Sequence, residues 1–187
     1  MRRMIATATA VLVLAALVAA GCGRGSERAE SDVAPAGVRE AEVYEQVLRR
    51  YLTTSNENSF SEKTFKAVFV LDQAHVNAGD PDARKKPGVP IPLGTQTELV
   101  AALASTATLE FIADSAGVVL DKDGCARVKD DGILITLGTI EGDDKVVVVG
   151  ISGFVACMGA TWLTYVVHNP TGTGWTVKGT TGHVTVA

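Results

Sequence analysis

The sequence predicts an α+β domain, a curved antiparallel sheet of about five to six strands with one or two helices packed on it. Three observations carry this expectation. Four strand-like runs fill the last third of the chain, at 132–137, 145–151, 160–168 and 175–186, with only short turn segments between most of them; consecutive strands joined so closely pair antiparallel. Tyr44, Val47, Leu48, Tyr51 and Leu52 recur at helical spacing, one apolar stripe on a helix over 39–52. Thr95-Gln96-Thr97-Glu98 has the hydroxyl-to-carboxylate spacing of a capping box and opens a second, short helix through Leu99, Val100, Ala102 and Leu103.

At the N-terminus, Arg2 and Arg3 precede an uncharged stretch over 4–21, and Ala19, Ala20 and Gly21 lead into Cys22. A positive start, an apolar middle and a small-residue exit read as a secretory signal peptide over 1–21. The alternative, an uncleaved membrane helix, is disfavoured: the stretch is near the lower edge of spanning length and rich in Ala and Thr. Val18-Ala19-Ala20-Gly21-Cys22 resembles the lipobox of bacterial lipoproteins, with Ala19 where Leu is commonest in that class. The resemblance implies that Cys22 receives a diacylglycerol group on sulfur, that a dedicated peptidase cuts before it, and that the new amino group is often acylated. The partner so implied is a membrane, held through Cys22 at the extracytoplasmic face of the cell membrane. Two or three acyl chains on one residue make such an attachment durable where one does not, at about 0.8 kcal/mol per buried methylene.

Residues 22–37 are polar, bear Gly, Ser and Pro, and lack apolar periodicity, which suits a flexible tether of roughly 20 Å root-mean-square span. Residues 38–187 make one domain of a size that buries a real core. Losing Arg2 and Arg3 with the leader takes the formal net charge from −4 to about −6. An acidic surface argues against nucleic acid and against a second, electrostatic attachment to anionic lipid. With Cys22 spent on lipid, Cys125 and Cys157 remain as a pair, and outside the cytoplasm two thiols in a small domain usually join as a disulfide. Two buried free thiols are the alternative; a metal site is disfavoured because neither cysteine has a neighbouring Cys or His at ligand spacing.

Between the helices, residues 66–72 (Lys-Ala-Val-Phe-Val-Leu-Asp) are β-branched and aromatic enough for a strand. Residues 73–94 hold four of the six prolines and show no convincing element, the signature of a functional or disordered loop. His75, Asp80, Asp82, Arg84, Lys85 and Lys86 make this segment the candidate recognition loop. Further strands are expected over 108–113 and 118–120, with a turn at 121–124. A helix cradled by a curved sheet is similar to cystatin-like and nuclear-transport-factor-like folds, an analogy of fold alone. Residues 132–137, Phe154-Val155-Ala156-Cys157 and Trp162-Leu163-Thr164-Tyr165 resemble secreted lipoproteins of high-GC Gram-positive bacteria, a resemblance that implies an address and no activity.

No motif names a reaction. Gly150-Ile151-Ser152-Gly153-Phe154 misses the G-x-S-x-G pattern by one place and reads instead as a turn or bulge between strands. Gly174 to Thr180 has phosphate-loop glycine spacing, but Thr180 stands where the essential Lys belongs. Asp121 and Asp123 begin like a calcium loop, yet Gly132 takes the position of its closing Glu. His75, His168 and His183 have no mutual ligand spacing, and Glu110 and Glu141 form a carboxylate pair only if the fold joins them. No metal or cofactor is expected, and no catalytic residue is assigned. The favoured reading is an envelope binding or interaction module that meets an envelope protein or a small ligand through 73–94. An envelope enzyme of hydrolase type with a scattered active site is the alternative, and a structural envelope component the third.

Overall fold

Helix α1 (Glu40–Thr53) turns the expected stripe inward, and Val43, Tyr44, Val47, Leu48 and Tyr51 are all buried. Acidic Glu40 and Glu42 in its first turn and basic Arg50 in its last suit the helix dipole. A single turn, α2 (Ser55–Asn58), follows where the sequence suggests only a stop. This computed structural model describes residues 39–60, 65–83 and 86–187. The leader, Cys22 and the tether lie outside the described residues, as do Arg84 and Lys85.

Tyr44 and Tyr51 are at most 1% exposed, so their hydroxyls lie inside the core and not at its rim. A buried phenol must find a partner inside. Tyr44 donates to the Gly138 carbonyl at 2.9 Å, and Tyr51 shares a hydrogen bond with Thr161 Oγ1. The Asn58 amide donates to the Tyr51 carbonyl, and its own carbonyl oxygen accepts from the Phe60 amide at 2.9 Å. Through its two tyrosines α1 is thus tied to the sheet, and Asn58 ties α2 back to α1.

The strands, in chain order, are β1 (Val68–Leu71), β2 (Gln73–Ala74), β3 (Val89–Pro90), β4 (Leu109–Ile112), β5 (Val119–Lys122), β6 (Cys125–Val128), β7 (Ile133–Gly142), β8 (Val146–Ala156), β9 (Gly159–His168) and β10 (Thr176–Val186). The main sheet runs β10-β9-β8-β7-β1-β4, with the β5–β6 hairpin attached to β8. The α+β class and the curved sheet are as expected, and β7 to β10 form an antiparallel meander. The sheet is not antiparallel throughout, however: β1 is parallel to both β4 and β7. For β4 the reason is α3 (Leu93–Leu103), which lies between β1 and β4 in the chain, whereas β7 follows β4 only after the β5–β6 hairpin. A helical crossover returns the chain to the same end of the sheet, so the strand after it runs parallel.

α3 also corrects its own expected start. It begins at Leu93 after Pro92, and no side-chain cap forms. Pro92 sits at φ −56°, already suited to leading into a helix. Thr95 is therefore inside the helix, and its hydroxyl donates to Glu40 Oε2 at 3.2 Å instead of capping. Among the described residues no helix is long and apolar enough to cross a membrane.

Strand alternation sorts the sheet into two faces. Ile133, Ile135, Leu137, Val147, Val149, Ile151, Leu163, Tyr165 and Val167 are fully buried on the inner face, in one core with α1 and with Leu99 and Leu103 of α3. The outer face carries Leu134, Thr136, Ser152, Phe154, Trp162 and Thr164, all half-buried. At one end the β5–β6 hairpin covers it, over a small second core of Phe69, Val118 and Val128. Asp123 (φ 58°) and Gly124 (φ 77°) close that hairpin, and the Asp121 carboxylate accepts from the Gly124 amide.

One ion pair fixes the α1–α2 corner to the sheet. Arg50 grips Glu57 with its guanidinium, and Tyr165 donates its hydroxyl to Glu57 Oε2 at 3.0 Å. The Arg50 hydrogen bonds, with help from Tyr165, hold the Glu57 carboxyl below its ordinary range against the opposing effect of burial. A depressed carboxyl stabilises the fold above its unfolded-state value and loses that contribution as pH falls through its folded-state value. Glu57→Gln should therefore cost about 1 kcal/mol at neutral pH, since the pair is partly solvent-screened. The gap between wild type and variant should close below about pH 4, as read by thermal melts across pH 3–7. A gap that stays constant would mean that the charge contributes nothing. Glu40, raised by burial, works in the opposite sense and makes no such loss in acid.

Candidate functional site

Residues 73–94 are not without structure. β2 and β3 pair antiparallel as Gln73↔Pro90 and Ala74↔Val89, so the segment is a hairpin with a long connection. Two-residue strands beside prolines leave no alternating pattern for the sequence to display. The connection is a chain of turns: the Ala78 amide donates to the His75 carbonyl at 3.1 Å, and that of Asp80 to Asn77 at 2.9 Å. The Asp80 carboxylate accepts from the Asp82 amide at 2.9 Å. The His75 amide donates to the Leu137 carbonyl at 2.8 Å, which ties the base of the hairpin to β7.

This connection crosses the outer face of the sheet at close quarters. A Cβ on Gly150 would lie 2.6 Å from the Gly79 amide nitrogen. A Cβ on Gly79 would in turn lie 2.6 Å from Thr164 Oγ1 and strike the Leu163 carbonyl. The two glycines let backbone rest on backbone. Gly150 and Gly153 thus have opposite duties within the near-miss motif, since Gly153 yields to Tyr51 on the inner face, with Tyr51 Cζ 2.9 Å from where its Cβ would stand. The motif is neither a turn nor a bulge: 150–154 run in register within β8, opposite Thr164, Leu163, Trp162, Thr161 and Ala160. It cannot present Ser152 on a nucleophile elbow.

Two clefts flank the crossing. The first, about 250 Å³, lies between the connection and the sheet and is lined by His75, Asn77, Asp80, Lys86 and the sheet residues Thr136, Ser152 and Trp162. The second, about 320 Å³, shares Thr136, Ser152 and Trp162 and extends to Phe154, Cys157 and Ala187. Sharing three residues, they are two halves of one open groove. Its floor is a cross-strand row, since Thr136 pairs with Ser152, and Ser152 with Trp162.

Of the candidate loop residues, His75, Asp80 and Lys86 reach this groove. Asp82 lies on the other side of the connection, in a cleft with His183, Thr164 and Thr185. His75 Nδ1 is 3.4 Å from the Lys86 carbonyl oxygen, a long contact that leaves Nε2 facing elsewhere. Thr136, Ser152, Asn77 and Trp162 are groove residues that the loop-centred sequence reading omits. Their signal lay in the alternation of β9, which puts Trp162 on the face opposite Leu163 and Tyr165.

Other sequence candidates separate. No group of three metal-ligating side chains occurs among the described residues. Glu110 is level with Phe69 and Leu134 across β4, β1 and β7, and Glu141 lies seven residues further along β7, about 25 Å away. Cys125 and Cys157 form the disulfide, with Cα atoms 5.2 Å apart, and join the β5–β6 hairpin to the β8–β9 turn beside the groove. No protein-family model matches the chain, and neither a curated protein nor a solved structure matches it.

Proposed function

We propose that this chain is a lipid-anchored extracytoplasmic binding module of the cell envelope, with the groove beneath the 75–86 connection as its ligand surface. The observation that carries the reading is the floor of that groove. Thr136, Ser152 and Trp162 line it from three adjacent strands. Open, partly apolar clefts with a few converging polar groups are the ordinary form of a small-ligand site. The rigid meander beneath gives the site fixed geometry, and the disulfide suits an oxidising compartment. Cys22 supplies the address through its lipobox resemblance.

A hydrolase is the second reading, because His75, Asp80 and Ser152 line the same cleft. Among the described residues no hydrogen bond joins His75 to Ser152 or to Asp80, and Asp80 is engaged by the Asp82 amide. A nucleophile needs a base within hydrogen-bond reach, so binding is the better-supported use.

The address is tested by the intact mass of protein from its native membrane, where cleavage before Cys22 plus acyl chains is expected. The groove is tested with Gly150→Val, whose side chain would lift the connection off the sheet. Envelope fractions that raise the wild-type Tm should leave this variant unmoved. Equal shifts in both proteins would place binding elsewhere, and a mass that retains 1–21 without lipid would remove the anchor.

A further inference from the structure

We infer that the groove takes a neutral saccharide about two rings long, stacked on Trp162. The inference rests on the reading of the groove as a ligand surface and names its chemistry. Among the described residues, the side chains of Thr136, Ser152 and Trp162 make no hydrogen bond to other protein groups, and their polar atoms are open to the cleft. Three adjacent strands therefore present two hydroxyls and an indole to the cleft.

The composition of the floor selects among ligand classes. Among the described residues, the charged side chains that line the groove are Asp80 and Lys86, of opposite sign, at the end under the connection, and the floor carries none. On that floor a nucleotide, a phosphate or an acidic peptide finds no cationic partner. An acyl chain would bury the Thr136 and Ser152 hydroxyls without partners, at a cost of about 1–3 kcal/mol each. A sugar ring satisfies both demands at once. Its C–H face covers the indole, and its rim hydroxyls donate to and accept from Ser and Thr. The three-strand row spans two inter-strand gaps, about 10 Å, the length of a disaccharide. His75 and Asn77 stand at one end with further polar atoms. The groove is open at both halves, which suits an internal stretch of a longer glycan as well as a free disaccharide.

The test uses the full folded domain and the indole N–H resonances of its two tryptophans. Trp175 is 4% exposed in the core and serves as an internal reference. Chitobiose, cellobiose, mannobiose and maltose are titrated one at a time. At least one should move the Trp162 resonance saturably with the Trp175 resonance fixed. Trp162→Ala should abolish binding of that sugar, and Ser152→Val should weaken it about tenfold. The corresponding polysaccharide, added as a competitor, separates the sources: stronger competition per ring than the disaccharide identifies a polymer as the occupant, and weaker competition a free sugar. A parallel titration with an apolar fatty alcohol distinguishes the two layers of the argument. If the alcohol moves Trp162 and no sugar does, the saccharide inference falls and the groove stands. If neither moves it, both fall.

Discussion

Replacing Cys125 and Cys157 together by alanine should destabilise the domain by about 4 kcal/mol. The bridge joins residues 32 positions apart, and the closed loop contains the whole of β7 and β8. Chain entropy gives about that value for a loop of this length. For a domain of about 150 residues the corresponding fall in Tm is about 10 °C. The loss should not be uniform. The β5–β6 hairpin contacts the main sheet through a single register pair, Arg127↔Ala156, and through the Cys157 amide on the Ala126 carbonyl at 2.8 Å. Its apolar support is the three-residue core of Phe69, Val118 and Val128. In the variant, amide protection should therefore be lost first over 119–128, with the β7–β9 meander still protected. Hydrogen exchange and thermal melts read both effects. A Tm change under 2 °C with unchanged exchange in the hairpin would show that the bridge constrains nothing the sheet does not already hold.

The parts of this fold that the sequence displays are those whose pattern has a single cause. α1 shows a clean stripe because one face meets the sheet and the other meets water. β7 to β9 are long, β-branched and separated by turns, and each is found within a few residues of its expected place, although β7 and β8 run about five residues further than the apolar runs suggest. The parallel insertion of β1 was not legible, because strand direction depends on which neighbour a strand chooses after a crossover, and that choice leaves no local mark. β6 was missed because Cys-Ala-Arg-Val has only Val128 turned inward. The apparent capping box at Thr95 failed because Pro92 starts the helix earlier. Most instructive is the pair Gly150 and Gly153. In the sequence they resemble a damaged catalytic signature, yet each answers to a backbone or ring that arrives from far along the chain. The candidate groove is half legible: prolines and charges mark its roof, whereas its floor lies on strands whose outer face shares the apolar character of the inner one.

Gly153→Ala should be among the costliest small substitutions in the molecule, at about 4 kcal/mol or more. The added Cβ would stand 2.9 Å from Tyr51 Cζ and 3.0 Å from Ile133 Cδ1, and would press on the Tyr51 hydroxyl itself. Neither neighbour has room to retreat, since both are fully buried and the Tyr51 carbonyl is held by Asn58. Overpacking of this kind costs about 1–3 kcal/mol. Forcing the ring aside also breaks the Tyr51–Thr161 hydrogen bond and leaves two hydroxyls buried without partners, at about 1–3 kcal/mol each. Tyr51→Phe alone should cost about 1–2 kcal/mol, because it strands Thr161, which is 0% exposed. In the double variant the hydroxyl that meets the new methyl is gone. The two costs should therefore fall short of additivity by at least about 1 kcal/mol, as expected for residues that share a contact. Gly150→Ala is the matched control from the same strand: its Cβ meets the Gly79 and Ala78 backbone over the outer face and not Tyr51, so its cost should be uncoupled from Tyr51→Phe. Additive behaviour of Gly153→Ala with Tyr51→Phe, measured by urea titration, would mean that the glycine does not exist to admit the tyrosine. The strand would then have to owe its break in side chains to something other than the helix packed against it.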